Sequence, residues 1–155
     1  MAENMAYRPA SGNYWTADNE SYVETYGYVY DWKTAVKVCP PGWHLPSKLE
    51  WKQLTDNLGG VSAAGDKLKE AGTSHWKSPN AGATNETGFT ALPGGYRLLD
   101  GFVYNGEMGF WWSATENQSA TTHVIYWNLM HNTSTVMMLG GDKRVGLSVR
   151  CIKDE

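Results

Sequence analysis

Asp31-Trp-Lys-Thr-Ala-Val-Lys-Val-Cys39, then Pro40-Pro41-Gly42-Trp43-His44-Leu45-Pro46, then Ser47-Lys-Leu-Glu50-Trp51-Lys-Gln-Leu54 is the stretch on which the fold turns. Asp31 is a good helix N-cap, and Trp32, Ala35, Val36 and Cys39 recur at the spacing of one helical face. The run Pro40-Pro41-Gly42 stops that helix, because proline has no amide to donate and clashes with the preceding turn. Ser47, with Glu50 three positions on, has the spacing of a capping box and predicts a second helix. Trp51, Leu54 and Leu58 form its apolar stripe, and Gly59-Gly60 ends it. A short third helix is expected over Ala63–Ala71, weakened by Gly65.

The flanks of this helical segment read differently. The first thirty residues alternate aromatics with Gly, Asn and Ser and are expected to be loop and short strand. Gly72 to Gly109 reads as one long loop, which in a compact domain carries function or hides minor strands. Four β-like runs follow: Phe110–Ser113, His123–Leu129, Ser134–Leu139 and Leu147–Ile152. Asn132-Thr133 and Gly140-Gly141-Asp142 are the expected turns between them. Helices first and a meander after predict an α+β fold, with two to three short helices and a twisted antiparallel sheet. There is no internal repeat and no linker, so residues 1–155 are read as a single domain.

Composition narrows the function. A hydrophobic fraction of 41% with 19% charged residues is that of a globular chain, not a disordered one. The 8 Trp and 9 Tyr are more unusual, and such residues suit wet binding faces because each joins a large apolar body to a polar tip. A net charge of −3 leaves no basic stripe, which argues against nucleic acid as a partner. No apolar run approaches the roughly 20 residues that span a bilayer, so membrane insertion is not expected. The N-terminus MAENMAYRPASG lacks the charged-then-apolar pattern of a signal peptide. Either the chain is cytosolic as written, or a leader or further domain precedes it. The two cysteines, Cys39 and Cys151, are too far apart for a zinc knuckle or a redox pair. Two buried thiols and one long-range disulfide are both consistent with that spacing.

Catalytic chemistry finds little support. Asp100, Glu107, Glu116 and Asp142 show no spacing that pairs two carboxylates for glycoside cleavage. His75, His123 and His131 form no metal-binding pattern, and His44 reads as a structural hydrogen-bonding group. No cofactor and no metal are expected. Trp43, Trp51, Leu92, Trp111, Trp112 and Val149 read as core. In the strand from His123, alternation puts Ile125, Trp127 and Leu129 on one side and Val124, Tyr126 and Asn128 on the other. Leu129 and Val136 look like core positions. That leaves Tyr126, Asn128 and Thr135 or Met137 facing outward beside the Met130–Thr133 turn. Rigid aromatics among adaptable polar groups make a paratope-like surface over Thr121–Asp142. The candidate ligand-binding residues are His123, Tyr126, Trp127, Asn128, Met130, His131, Thr133, Met137, Leu139 and Asp142. The plainer alternative is an ordinary half-polar sheet face.

The order Ala35, Cys39, Gly42, Leu45 within Trp32–Leu54 resembles the segment after the first helix of C-type-lectin-like domains. GLSVRCIKD (Gly146–Asp154) resembles their last strand, which carries the partner cysteine. More specifically, MAEN at the start, CPPGWHLPS (Cys39–Ser47), TNETGFTALPGGYR (Thr84–Arg97) and GFWWSATE (Gly109–Glu116) with KRVGLSVRCIKD (Lys143–Asp154) resemble the Fibrobacter major paralogous domain. Members of that family usually begin with a strand ahead of MAEN, so this chain is expected to lack one edge strand, a place where chains pair.

The resemblance implies a C-type-lectin-like fold, a Cys39–Cys151 disulfide and a bacterial cell-surface, extracellular or phage-particle setting. It supplies no catalytic mechanism. The lectin calcium motifs E-P-N and W-N-D are matched here by Ser78-Pro79-Asn80 and Trp127-Asn128-Leu129, each without its carboxylate, so a calcium-bridged sugar site is not expected. Relatives of this fold that make formylglycine hold copper through a cysteine pair, and no spare pair exists here. Between Thr115 and Lys143 the sequence matches the family little; lectin-like domains build their ligand face there, and some members diversify it with retroelements that mutate adenines. Products of mutated Asn codons include His123, Ile125, Tyr126, Asn128, His131, Thr133, Leu139 and Asp142, but not Trp127, Met130, Met137 or Met138. The expected function is calcium-independent binding of a macromolecular ligand, protein or glycan, through this surface; the sequence leaves the oligomeric state open, with a monomer slightly favoured. A structural or adhesive surface module and an enzyme of the formylglycine-generating type are the alternatives.

Overall fold

The computed structural model describes residues 3–116 and 122–155. In chain order the elements are β1 (Tyr14–Trp15), α1 (Glu20–Tyr26), β2 (Val29–Tyr30), α2 (Trp32–Ala35), β3 (Trp43–His44), α3 (Lys48–Asn57) and α4 (Ala64–Leu68). Then follow β4 (Tyr96–Arg97), β5 (Phe102–Val103), β6 (Met108–Glu116), β7 (His123–Met130), β8 (Met137–Asp142), β9 (Leu147–Ser148) and β10 (Ile152–Lys153). The main sheet runs β1-β2-β9-β6-β7-β8, antiparallel except where β6 meets β9. Two small ribbons, β10–β3 and β4–β5, complete an α+β architecture of short helices and mostly antiparallel strands.

Local chemistry explains the helices. The α3 capping box is present: Ser47 Oγ accepts from the Glu50 amide, and the Glu50 carboxylate accepts from the Ser47 amide. α2 is only four residues long rather than running to Cys39, and Val36 at its end is 38% exposed. Cys39 precedes Pro40, and a residue before proline is pushed out of the helical region. α1 was not expected; the Asn19 side chain accepts from the Ser21 and Tyr22 amides, and Gly27 at φ +74° ends the helix. α4 stops short of Ala71 because Lys69 turns extended and forms a parallel bridge with Ala91. Gly140-Gly141-Asp142 is strand rather than turn; Lys143 and Arg144 make the reversal. The last expected strand is split in two, with Arg150 and Cys151 buried between β9 and β10.

Both faces of the β6–β7 pair are buried. Phe110, Trp112 and Val124 lie in one core with Tyr30, Leu147 and Val149. Trp111, Trp127 and Leu129 lie in the other with Trp51, Leu68, Trp76 and Val136. Trp111 and Trp112 are 1% and 0% exposed, so neighbours in sequence anchor opposite cores. Their indoles are satisfied: Trp112 Nε1 donates to Tyr30 O at 2.7 Å, and Trp111 Nε1 donates to Asn4 Oδ1 at 2.9 Å.

Two devices close the chain on itself. Cys39 and Cys151 form a disulfide across a sequence separation of 112. Beside it, β3 pairs with β10, and His44 bridges two carboxylates: Nδ1 is 2.6 Å from Asp154 Oδ1 and Nε2 is 2.7 Å from Glu50 Oε1. Hydrogen bonding to Asp154, then to Glu50, raises the His44 pKa above its ordinary value. A raised folded-state pKa stabilises the fold below the unfolded value of about 6.5, and that contribution is lost as pH rises through the folded value. His44→Gln is therefore expected to lower the urea midpoint at pH 5.5 and to have much less effect at pH 9. In the chain-entropy account, a loop this long stabilises by about 5 kcal/mol. Cys39→Ser/Cys151→Ser should lose a stability of that order in urea unfolding; a loss under about 1 kcal/mol would show the cross-link to be dispensable.

Candidate functional site

The structure distributes the sequence-derived candidates over four places. Trp127 and Asn128 are core residues, correcting the expectation that they meet a ligand. Trp127 is 2% exposed and stacks on Trp51 at 5.9 Å. Asn128 is 1% exposed, and its Nδ2 donates to Gly109 O at 3.1 Å and Leu129 O at 3.2 Å. The alternation itself holds: Val124, Tyr126 and Asn128 do share a face. What fails is the assumption that one face is open, because helices cover one side of β7 and the N-terminal half covers much of the other. Leu129 and Val136 are buried as expected. Met130, His131 and Thr133 lie together at one end of the sheet, where His131 Nδ1 is 3.1 Å from Ser78 O. His123 lies at the other end, in register with Asp142. Tyr126, Leu139 and Met137 share a face at the edge formed by β8. Thr121 lies outside the described residues.

Tyr126 and Asp142 open onto a groove of about 230 Å³. Phe110 and Leu147 are its buried floor, Tyr96, Leu98, Tyr126 and Val145 its walls, and Gly141 with Asp142 its mouth. The β4–β5 hairpin, which lies inside the expected long loop, brings Tyr96 edge-on to Phe110 at 4.7 Å. Across the floor, Tyr126 is tilted against Phe110 at 6.0 Å and packs on Trp112 at 6.2 Å. Gly141 makes room for that ring, since a Cβ there would sit 2.6 Å from Tyr126 Cε1. Tyr104 stacks on Tyr96 at 6.0 Å and extends the aromatic surface outward.

The electrostatics of the groove are quiet. Burial raises the Tyr126 phenol above its ordinary pKa, with Tyr96 adding to the effect; burial likewise raises Tyr96, with Tyr104 adding. Neither hydroxyl has a hydrogen-bond partner among the described residues. At the mouth, Arg144 donates to both Asp142 carboxylate oxygens, with Nη2 2.6 Å from Oδ2, and holds that carboxyl well below the usual range.

The loop cluster at the opposite end is organised by a residue that sequence reading missed. Lys69 is fully buried, and its Nζ donates to Ala81 O at 2.8 Å, Thr133 O at 3.0 Å and Met130 O at 3.2 Å. All three ammonium protons thus have backbone acceptors. Burial pushes the Lys69 pKa down, and the carboxylate of Asp66 acts in the opposite sense. Asn80, in the segment matching a lectin calcium loop, is also buried and donates to Glu70 O at 2.8 Å and Gly72 O at 2.5 Å. Among the described residues no three His, Cys, Asp or Glu side chains cluster to hold a metal.

The segments singled out by resemblance are packed against one another: Tyr96 of Thr84–Arg97 and Phe110 of Gly109–Glu116 share one groove with Val145 and Leu147 of the C-terminal segment. Residues 1–153 match the Fibrobacter succinogenes major domain. The chain belongs to that family. No curated protein and no solved structure matches the chain. In this Fibrobacter succinogenes major domain, the groove floor comes from Phe110 and Leu147, whereas Tyr126 and Asp142 come from the β7–β8 hairpin. The Lys69 ammonium does within the domain what a bound cation would do, joining three backbone segments by charge. Lys69→Met keeps the length of the side chain but strands three buried carbonyls, so a loss of roughly 3 kcal/mol or more is expected in urea unfolding. A loss below about 1 kcal/mol would show the carbonyls to be solvated without the ammonium.

Proposed function

We propose that this domain is a binding module with a C-type-lectin-like fold, taking part of a macromolecular ligand, protein or glycan, into the Tyr96–Phe110–Tyr126 groove without calcium. The observation that carries this reading is an open aromatic groove holding tyrosine hydroxyls that no described protein group satisfies. Tyr96 and Tyr126 are half-buried, so a ligand entering the groove meets aromatic faces together with hydroxyls that are free to pair with it. Calcium independence is supported by the groove lining, whose one carboxylate among the described residues, Asp142, is already paired with Arg144. An enzymatic role is disfavoured because three of the four candidate carboxylates are held in separate surface ion pairs: Glu107 with Lys77 at 2.8 Å, Glu116 with Lys143 at 2.9 Å and Asp142 with Arg144. The disulfide fits an oxidising compartment, which supports display at a cell surface, on a phage particle or outside the cell. Diversification of the surface around Tyr126 and Leu139 is a separate proposal, and the absence of a reverse transcriptase and a near-copy repeat beside the gene would sink it.

The reading is tested with the oxidised domain on protein and glycan arrays, with calcium and with chelator. Hits should be equal in both buffers. Leu98→Arg, which puts a charge on the groove wall, should weaken them at least about tenfold, or 1.4 kcal/mol. Undiminished binding by a folded Leu98→Arg variant would place the ligand elsewhere.

A further inference from the structure

We infer that the ligand of this groove is a neutral oligosaccharide, one pyranose ring of which lies against the Tyr96, Phe110 and Tyr126 aromatics. The inference rests on the reading of the groove as the binding site and adds the class of ligand. Size is the first constraint. At about 230 Å³ the groove is below the roughly 300–1,000 Å³ of sites that engulf a drug-sized molecule, so it admits a single ring or a single side chain.

Polarity separates those two occupants. The hydroxyls of Tyr96, Tyr104 and Tyr126 each offer one donor and two acceptor sites, and none has a partner among the described residues. A leucine or phenylalanine side chain would strip water from these hydroxyls and leave them unpaired. A pyranose has apolar C–H faces for the aromatic rings and hydroxyls around its rim for the phenols. It matches both features of the site at once.

Charge narrows the class further. Asp142 and Arg144 neutralise each other at the mouth. The nearby Arg97 guanidinium lies over the Trp15 ring at 4.3 Å. Among the described residues no unpaired charge lines the groove, so neither an acidic sugar nor an ammonium group finds a complement there. Extension is the last feature. Tyr104, 46% exposed, lies nearly parallel to Tyr96 with an interplanar angle of 21°, and Leu99 near the same hairpin is 58% exposed. The aromatic surface thus continues outside the groove, where a second sugar ring can stack. This site is separate from the Lys69 loop cluster.

The experiment uses the oxidised full chain in chelator. Neutral hexasaccharides of glucose, xylose, mannose and galactose are titrated by calorimetry beside uronate-containing counterparts and a peptide array. The critical variant is Tyr96→Phe/Tyr126→Phe, which keeps both rings and removes only the hydroxyls. At least one neutral hexasaccharide should bind, with its charged counterpart and its monosaccharide each roughly tenfold weaker or more. The double variant should keep its melting temperature and lose at least about tenfold in affinity. Silence from every neutral sugar, or a preference for the charged ones, overturns the proposal. A peptide that binds and is lost in the double variant overturns the sugar while leaving the groove as the site. A ligand whose binding survives both the double variant and Leu98→Arg removes the groove itself.

Discussion

Trp111 and Trp112 impose the constraint on which the rest of the structure depends. They are adjacent on one strand, so their side chains must leave the sheet in opposite directions, and each is too large and apolar to be left in water. Both faces of β6 therefore need cover. The sheet cannot be the usual antiparallel layer with one wet face. The α3–α4 half packs around Trp111 and Trp127, while Tyr30, Leu147 and Val149 pack around Trp112. Strand β9 fits beside β6 in parallel only because the chain makes a long excursion between its ends, and the disulfide fixes that return.

Covering two faces with so few regular elements leaves much irregular backbone inside, and irregular backbone carries carbonyls that must find donors. Two buried cations meet that need. Lys69 serves Ala81, Met130 and Thr133. Arg150, whose pKa burial pushes down to about 9, donates to Asn4 Oδ1, Phe89 O and Thr90 O and lies 4.1 Å from the Phe89 ring centre. Each side chain ties its own segment to two others. A lysine suits the loop cluster because its three donors diverge from one point, whereas the planar fork of arginine suits donors aimed along two strands of loop.

The groove arises from the same economy. The β4–β5 hairpin lays Tyr96 over Phe110 because the sheet face there is not reached by a helix. Tyr126 then leans across β8, where Gly141 has no side chain to stop it. The groove thus lies where the β4–β5 hairpin meets β6 and the β7–β8 hairpin. A change at position 142 alters only the mouth, whereas one at 126 also removes a ring that packs on Trp112.

The residues alone determined a good deal. The α3 capping box, the proline stop, the core status of Trp51, Trp111, Trp112, Leu129 and Val136, and the alternation along β7 are all local rules, set by hydrogen-bond geometry and side-chain size within a few positions. Resemblance supplied the cysteine pairing. What sequence could not decide was how much of the sheet would be covered, because cover comes from segments more than fifty residues away. Hence Asn128 and Trp127 were read as ligand contacts when they are interior, and Tyr96 and Phe110 were not read as a site at all. Lys69 was invisible for the same reason: a lysine at a helix end is ordinary until tertiary structure brings three carbonyls to its ammonium. Tertiary packing alone decided which polar atoms are satisfied from within and which side chains line the groove, because both depend on segments distant in sequence.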